Sequence, residues 1–133
     1  MQTRPPRLAI LLLVAIATAL VPEGVSAHAS LVKSEPTDGA MLQQSPPRVV
    51  AWFDQELEAS ASMIGVFNAQ GREIDGGVRS VDLTDPNHAS MIVTLSGELS
   101  PGRYIVRWKA VSGSDGHVGH PTTGEFVFDI RAP

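Results

Sequence analysis

From Leu31 onward, apolar and polar residues alternate with a period of two, and turn signals break the alternation about every ten residues. Side chains repeat their direction every second residue on a strand and every 3.6 residues on a helix, so the pattern excludes a helical bundle. Val49, Ala51 and Phe53 alternate with Val50, Trp52 and Asp54. Met63, Gly65 and Phe67 share one side of the next run, which Asn68-Ala69-Gln70-Gly71 ends as a turn. Val81 and Leu83 predict a short strand before Asp85-Pro86-Asn87, and Met91, Val93 and Leu95 predict another, closed by Ser96-Gly97. Tyr104, Val106, Trp108 and Ala110 face one way while Arg107 and Lys109 face the other, which marks a half-buried strand central to a sheet. Phe126, Phe128 and Ile130 repeat the pattern near the C-terminus. With a first strand from Leu31 to Ser34 the count is about seven, which predicts an all-β fold, an Ig-like or Greek-key β-sandwich or barrel. Within it, Tyr104 and Trp108 are expected in the core, the tyrosine hydroxyl bonded to backbone.

The first 27 residues do not share this pattern. Arg4 and Arg7 precede an uncharged apolar run from Leu8 to Val21, which Pro22, Glu23 and Gly24 break. Val25-Ser26-Ala27 then offers the small residues a signal peptidase reads. The run is short of the roughly 20 apolar residues a membrane span needs. Residues 1–27 are therefore expected to be an export signal cut between Ala27 and His28, leaving residues 28–133 as one domain outside the cytoplasm, periplasmic or extracellular. That mature chain is not expected to span a membrane.

Charge and composition narrow the function classes. The 133 residues carry 10 Lys and Arg against 14 Asp and Glu, so there is no basic footprint for nucleic acid or an anionic membrane surface. There is no cysteine, which removes disulfides, thiol catalysis and thiolate metal sites together. No Gly-x-Ser-x-Gly elbow surrounds Ser112 or Ser114, and Glu56 and Glu58 near Asp54 read as the exposed end of a strand rather than an acid–base pair. The methionines of the mature chain, Met41, Met63 and Met91, are scattered, and two lie in strand patterns, so they read as core filler and not as a thioether site.

Chemistry then rests on four histidines: His28, His88, His117 and His120. His88, in Asp85-Pro86-Asn87-His88, reads as an exposed turn residue. His28 becomes the first residue after cleavage, so its α-amine and imidazole can chelate one cation. Asp115-Gly116-His117-Val118-Gly119-His120 reads as a Gly-rich loop between two strands. Asp-x-His presents a carboxylate and an imidazole on the same side of an extended segment. Three nitrogens and one oxygen in a plane suit tetragonal Cu(II) better than tetrahedral Zn(II) or oxygen-preferring Mg(II) and Ca(II). The spacing from Asp115 favours His117 as the imidazole ligand from this loop, with His120 as a competing ligand.

These residues resemble the CopC family of exported copper-binding proteins. The similarity runs from His28-Ala29-Ser30-Leu31 through Ser34-Glu35-Pro36-Thr37-Asp38-Gly39 and Val49 to Leu57. It ends in Tyr104-x-Val106-x-Trp108, Ser114-Asp115-Gly116-His117 and Gly124-x-Phe126-x-Phe128. The resemblance implies a Greek-key barrel or sandwich and Cu(II) held by the amine and side chain of His28 with Asp115 and His117. It also implies a non-enzymatic role in copper homeostasis or resistance, as a carrier or buffer with a membrane copper transporter as a partner. The family commonly has Glu where Gln55 stands, and members with a Cu(I) site carry a Met-rich loop that this chain lacks. Two other readings compete: a copper oxidoreductase with a histidine brace, and a structural Ig-like adhesion domain.

Overall fold

The computed structural model describes residues 28–74, 79–114 and 117–133, without the side chains of Ser114 and His117. The export signal expected over residues 1–27 lies outside them, as do Asp115 and Gly116. Among the described residues there are eight strands and no helix: β1 Leu31–Glu35, β2 Ala40–Leu42, β3 Arg48–Phe53, β4 Met63–Asn68, β5 Arg79–Val81, β6 Ser90–Thr94, β7 Gly102–Ser114 and β8 His117–Ile130. They form two four-stranded sheets, β1-β3-β6-β5 and β2-β8-β7-β4. The all-β sandwich expected from the alternation is the observed architecture.

The core lies between the sheets. β3 contributes Val49, Ala51 and Phe53, β6 contributes Met91 and Val93, and β8 contributes Phe126, Phe128 and Ile130, all at most 6% exposed. In β7, an inner strand as expected, Tyr104 and Val106 stand opposite Phe128 and Phe126. The Tyr104 ring stacks on Phe128 with centroids 5.5 Å apart. Its hydroxyl donates to the Ser100 carbonyl at 2.6 Å, which satisfies the polar end of a buried ring. Burial also pushes the Tyr104 phenol pKa above its ordinary value.

Trp108 joins the two sheets. Its ring meets the edge of Phe53 from the opposite sheet at 5.0 Å between centroids. The position across from it on β8 is Gly124, and a Cβ built there would stand 2.4 Å from the indole. Only glycine leaves room for the tryptophan at this point in the ladder.

The structure differs from the sequence expectations in four places. An eighth strand, β2, pairs in parallel with β8, and at three residues it is too short to show a period. Leu83 is 66% exposed beyond the end of β5 and belongs to the turn, not to the strand. Met91 is buried core, but Met41 and Met63 are 52% and 63% exposed, so the core-filler reading fails for both. Lastly, the segment His117–His120, read as loop, opens β8 and pairs with the end of β7. Glycines at 116 and 119 suggested a loop, but the long hairpin supplies ladder partners that outweigh their weak strand preference.

Candidate metal centre

The side chains of β8 that face the other sheet form a column. Ile130, Phe128 and Phe126 are buried, Gly124 and Thr122 are half-buried, and His120, next in the period of two, is exposed. The column thus leaves the core at one rim of the sandwich and ends in an imidazole. Between Val111 and Gly113 of β7 the register shifts, because Val111 faces Pro121 while Gly113 faces Val118. Gly119 and His120 therefore oppose the single residue Ser112, a bulge of the kind that re-aims a side chain at a sheet end.

The N-terminal residues reach the same rim from the other sheet. Ala29 is 1% exposed and belongs to the core, whereas His28 and Ser30 on either side are exposed. Burial of this small side chain anchors the segment, and hydrogen bonds fix its backbone. Gln55 Nε2 donates to the His28 carbonyl at 3.0 Å. The Thr122 hydroxyl donates to the Ala29 carbonyl at 2.6 Å. The Asp54 N–H donates to the Ser30 carbonyl at 3.0 Å, and Asp54 Oδ1 accepts the Ser30 N–H at 2.7 Å. Three consecutive carbonyls are held, two by residues just past β3 and one by β8.

This arrangement brings the rings of His28 and His120 together, with centroids 5.7 Å apart and planes inclined by 28°. Of the other expected ligands, Asp115 and the side chain of His117 lie outside the described residues. The backbone of His117 is the first of β8, paired with Ser114. Among the described residues no three His, Asp or Glu side chains converge as a metal-binding group, and of the expected ligands the structure brings together the imidazoles of His28 and His120.

His88 sits in its turn as expected, with a φ of 47°. Its carbonyl accepts the Leu57 N–H at 2.9 Å, and its Nδ1 is 3.8 Å from Glu56 Oε1. The neighbouring Asp85 carboxylate accepts the N–H groups of Asn87 and Ala89, both at 3.0 Å, and the Ser90 hydroxyl at 2.8 Å. Burial pushes the Asp85 pKa up, but these bonds hold it below the ordinary carboxylate value. Asp85 is thus the brace of a turn that backs the rim.

Thr122 was not read from the sequence, nor were the particular backbone bonds that Asp54 and Gln55 make, although the sequence placed Gln55 at a supporting position of the site. The signal for Thr122 was its offset of two from His120, which carries meaning only once residues 117–122 are seen as strand.

Comparison with known proteins extends this geometry. The fold is similar to the crystal structure of CopC from Methylosinus trichosporium OB3b, with a TM-score of 0.65 at 24% identity over 77% of this chain and 93% of that one. It is also similar to PcoC, a methionine-rich copper resistance protein from Escherichia coli, with a TM-score of 0.59 at 25% identity over 78% and 99% of the two chains. In sequence, the chain is 32% identical over 110 residues to the copper transport protein CutJ of Bacillus subtilis, a match covering 83% of this chain but 19% of that protein. It is 27% identical to copper resistance protein C of Pseudomonas syringae pv. tomato, over 84% of this chain and 87% of the relative. Residues 31–131, nearly all of the described sandwich, match the CopC domain, and the chain belongs to the CopC domain family.

Proposed function

We propose that this protein is an exported, non-enzymatic Cu(II)-binding module that sequesters copper or delivers it outside the cytoplasm. The observation that carries this reading is the pair of imidazoles at the rim, His28 and His120, whose backbones are held together from both sheets before any metal binds. A metal–nitrogen bond of about 2.0 Å puts a ligated ring centre about 3 Å from the ion, so two rings sharing an ion have centres within about 6 Å. The observed 5.7 Å lies inside that limit.

Cleavage before His28 adds its α-amine, and the ligand set is then the amine and imidazole of His28, the carboxylate of Asp115, and imidazole from His117 and His120. Asp115 lies five residues from His120 along the chain and two from His117, so the segment offers one carboxylate with a choice of two imidazoles. Nitrogen and oxygen donors without sulfur favour Cu(II) over Cu(I). The exposed methionines support that preference, because Met41 and Met63 stand on β2 and β4, the two opposite edges of one sheet, and form no thioether cluster. The copper resistance and copper transport proteins among the relatives favour a carrier over a histidine-brace oxidoreductase or an adhesion domain. The match to a short stretch of a much longer copper transport protein motivates a membrane copper transporter as the acceptor.

The test is the terminus. Protein that begins at His28 and protein that keeps a Met before it are titrated with Cu(II) against a competing chelator. An amide nitrogen replaces the amine in the extended protein, so its affinity is expected to fall by about tenfold or more. Equal affinities would overturn the reading.

A further inference from the structure

We infer that Thr122 is a positioning residue for the copper site: its hydroxyl fixes the separation of the His28 and His120 imidazoles in the metal-free protein. The inference rests on the copper-site reading and goes beyond it, because Thr122 donates no atom to the metal.

Thr122 is the point where the two histidine-bearing segments are joined. It lies two residues from His120 on β8, a span of about 7 Å along a strand. Its hydroxyl donates to the carbonyl of Ala29, the residue after His28, at 2.6 Å. The Ala110 carbonyl, on the cross-strand partner, stands farther away at 3.4 Å, so the single hydroxyl proton belongs to Ala29. A β-branched side chain has few χ1 choices on a strand, which aims the hydroxyl without much loss of rotamer freedom. Half-buried at the rim, the bond is partly shielded from water, which would otherwise compete for the carbonyl.

Asp54 and Gln55, which follow β3 in the opposite sheet, also bond to the N-terminal segment. They place His28 relative to its own sheet and say nothing about β8. The bond from Thr122 crosses to the strand that carries His120. Without it, one tie between the two segments is lost, and any ordering that the ion then has to impose would count against affinity.

The experiment compares the wild-type protein beginning at His28 with Thr122→Val and Thr122→Ser. Valine keeps the shape and removes the donor; serine restores the donor and removes the methyl group. In the metal-free proteins, proton NMR reads the proximity of the two imidazole rings, and thermal unfolding checks the fold. Cu(II) competition titration and electron paramagnetic resonance read the loaded site. Thr122→Val is expected to lose the ring-to-ring contact, to bind Cu(II) about tenfold more weakly and to show altered copper hyperfine splitting, with Thr122→Ser close to wild type in all three. An unchanged ring contact in Thr122→Val would overturn the inference, as would a serine variant as impaired as the valine. Failure of the wild-type protein to bind Cu(II) would sink the copper reading instead, while the metal-free ring contact would still decide the role of Thr122.

Discussion

At the scale of single residues, the rim of this sandwich is a place where backbone carbonyls are held by side chains chosen for their donors. Gln55 illustrates the point. The family commonly has Glu at this position, and an ionised Glu is an acceptor only, unable to donate to the His28 carbonyl as the Gln55 amide does. The departure from the family pattern exchanges an acid for a backbone clamp. Asp54, not Glu56, is the acid that faces the N-terminal segment, since Glu56 stands near His88 instead. The choice of loop imidazole is also a single-residue matter. The structure places His120 beside His28, so His120→Ala is expected to remove one nitrogen ligand from the copper electron paramagnetic resonance spectrum. The matching His117→Ala protein reports on the ligand that the Asp-x-His spacing favours. A spectrum unchanged by His120→Ala and altered by His117→Ala would show that the stacked ring stays outside the coordination sphere.

At the scale of elements, the β7–β8 hairpin does most to build the site. One end of it packs Tyr104 on Phe128 in the core, and the other carries His120 out to the rim. Between the two, the Trp108 indole lies where a side chain of residue 124 would be. Gly124→Ala is expected to force the indole aside and cost about 1–3 kcal/mol, read from urea unfolding followed by tryptophan fluorescence. Trp108 Nε1 is buried without a hydrogen-bond partner among the described residues, so Trp108→Phe removes an unsatisfied donor together with part of the ring. Combined with Gly124→Ala, it should recover much of the loss, and simple additivity of the two changes would show that the clash is not the cause.

At the scale of the whole molecule, stability without disulfides rests on one core between two sheets. Phe128 is fully buried at its centre, opposite Tyr104 and beside the parallel pairing to β2. Phe128→Ala should therefore destabilise the protein by about 3–5 kcal/mol, measured by chemical denaturation of the metal-free protein. A loss below about 1 kcal/mol would mean that the sheets collapse around the gap. Because the rim is tied to this core through Ala29 and Thr122, the proposed metal centre would share the rigidity of the sandwich instead of lying on an independent loop.

The sequence by itself determined the fold class. A period of two, broken by turns, can bury one face of each strand only by pairing sheets, and residues such as Val49, Phe53, Val106 and Phe128 occupy the core positions that this period assigns. It also narrowed the candidate metal ligands, since in a chain without cysteine the histidines are the natural nitrogen donors. Three residues of β2 were too short to show a period, and the exposure of Met63 depended on which side of an edge strand faced outward. Tertiary structure decided the rim. That His120 meets His28 depends on a hairpin register and a one-residue bulge, and that Thr122 joins the two depends on a bond between residues 93 positions apart. Neither has a local signature, because the energy that fixes each comes from the opposite strand or the opposite sheet and not from the neighbouring residues in the chain.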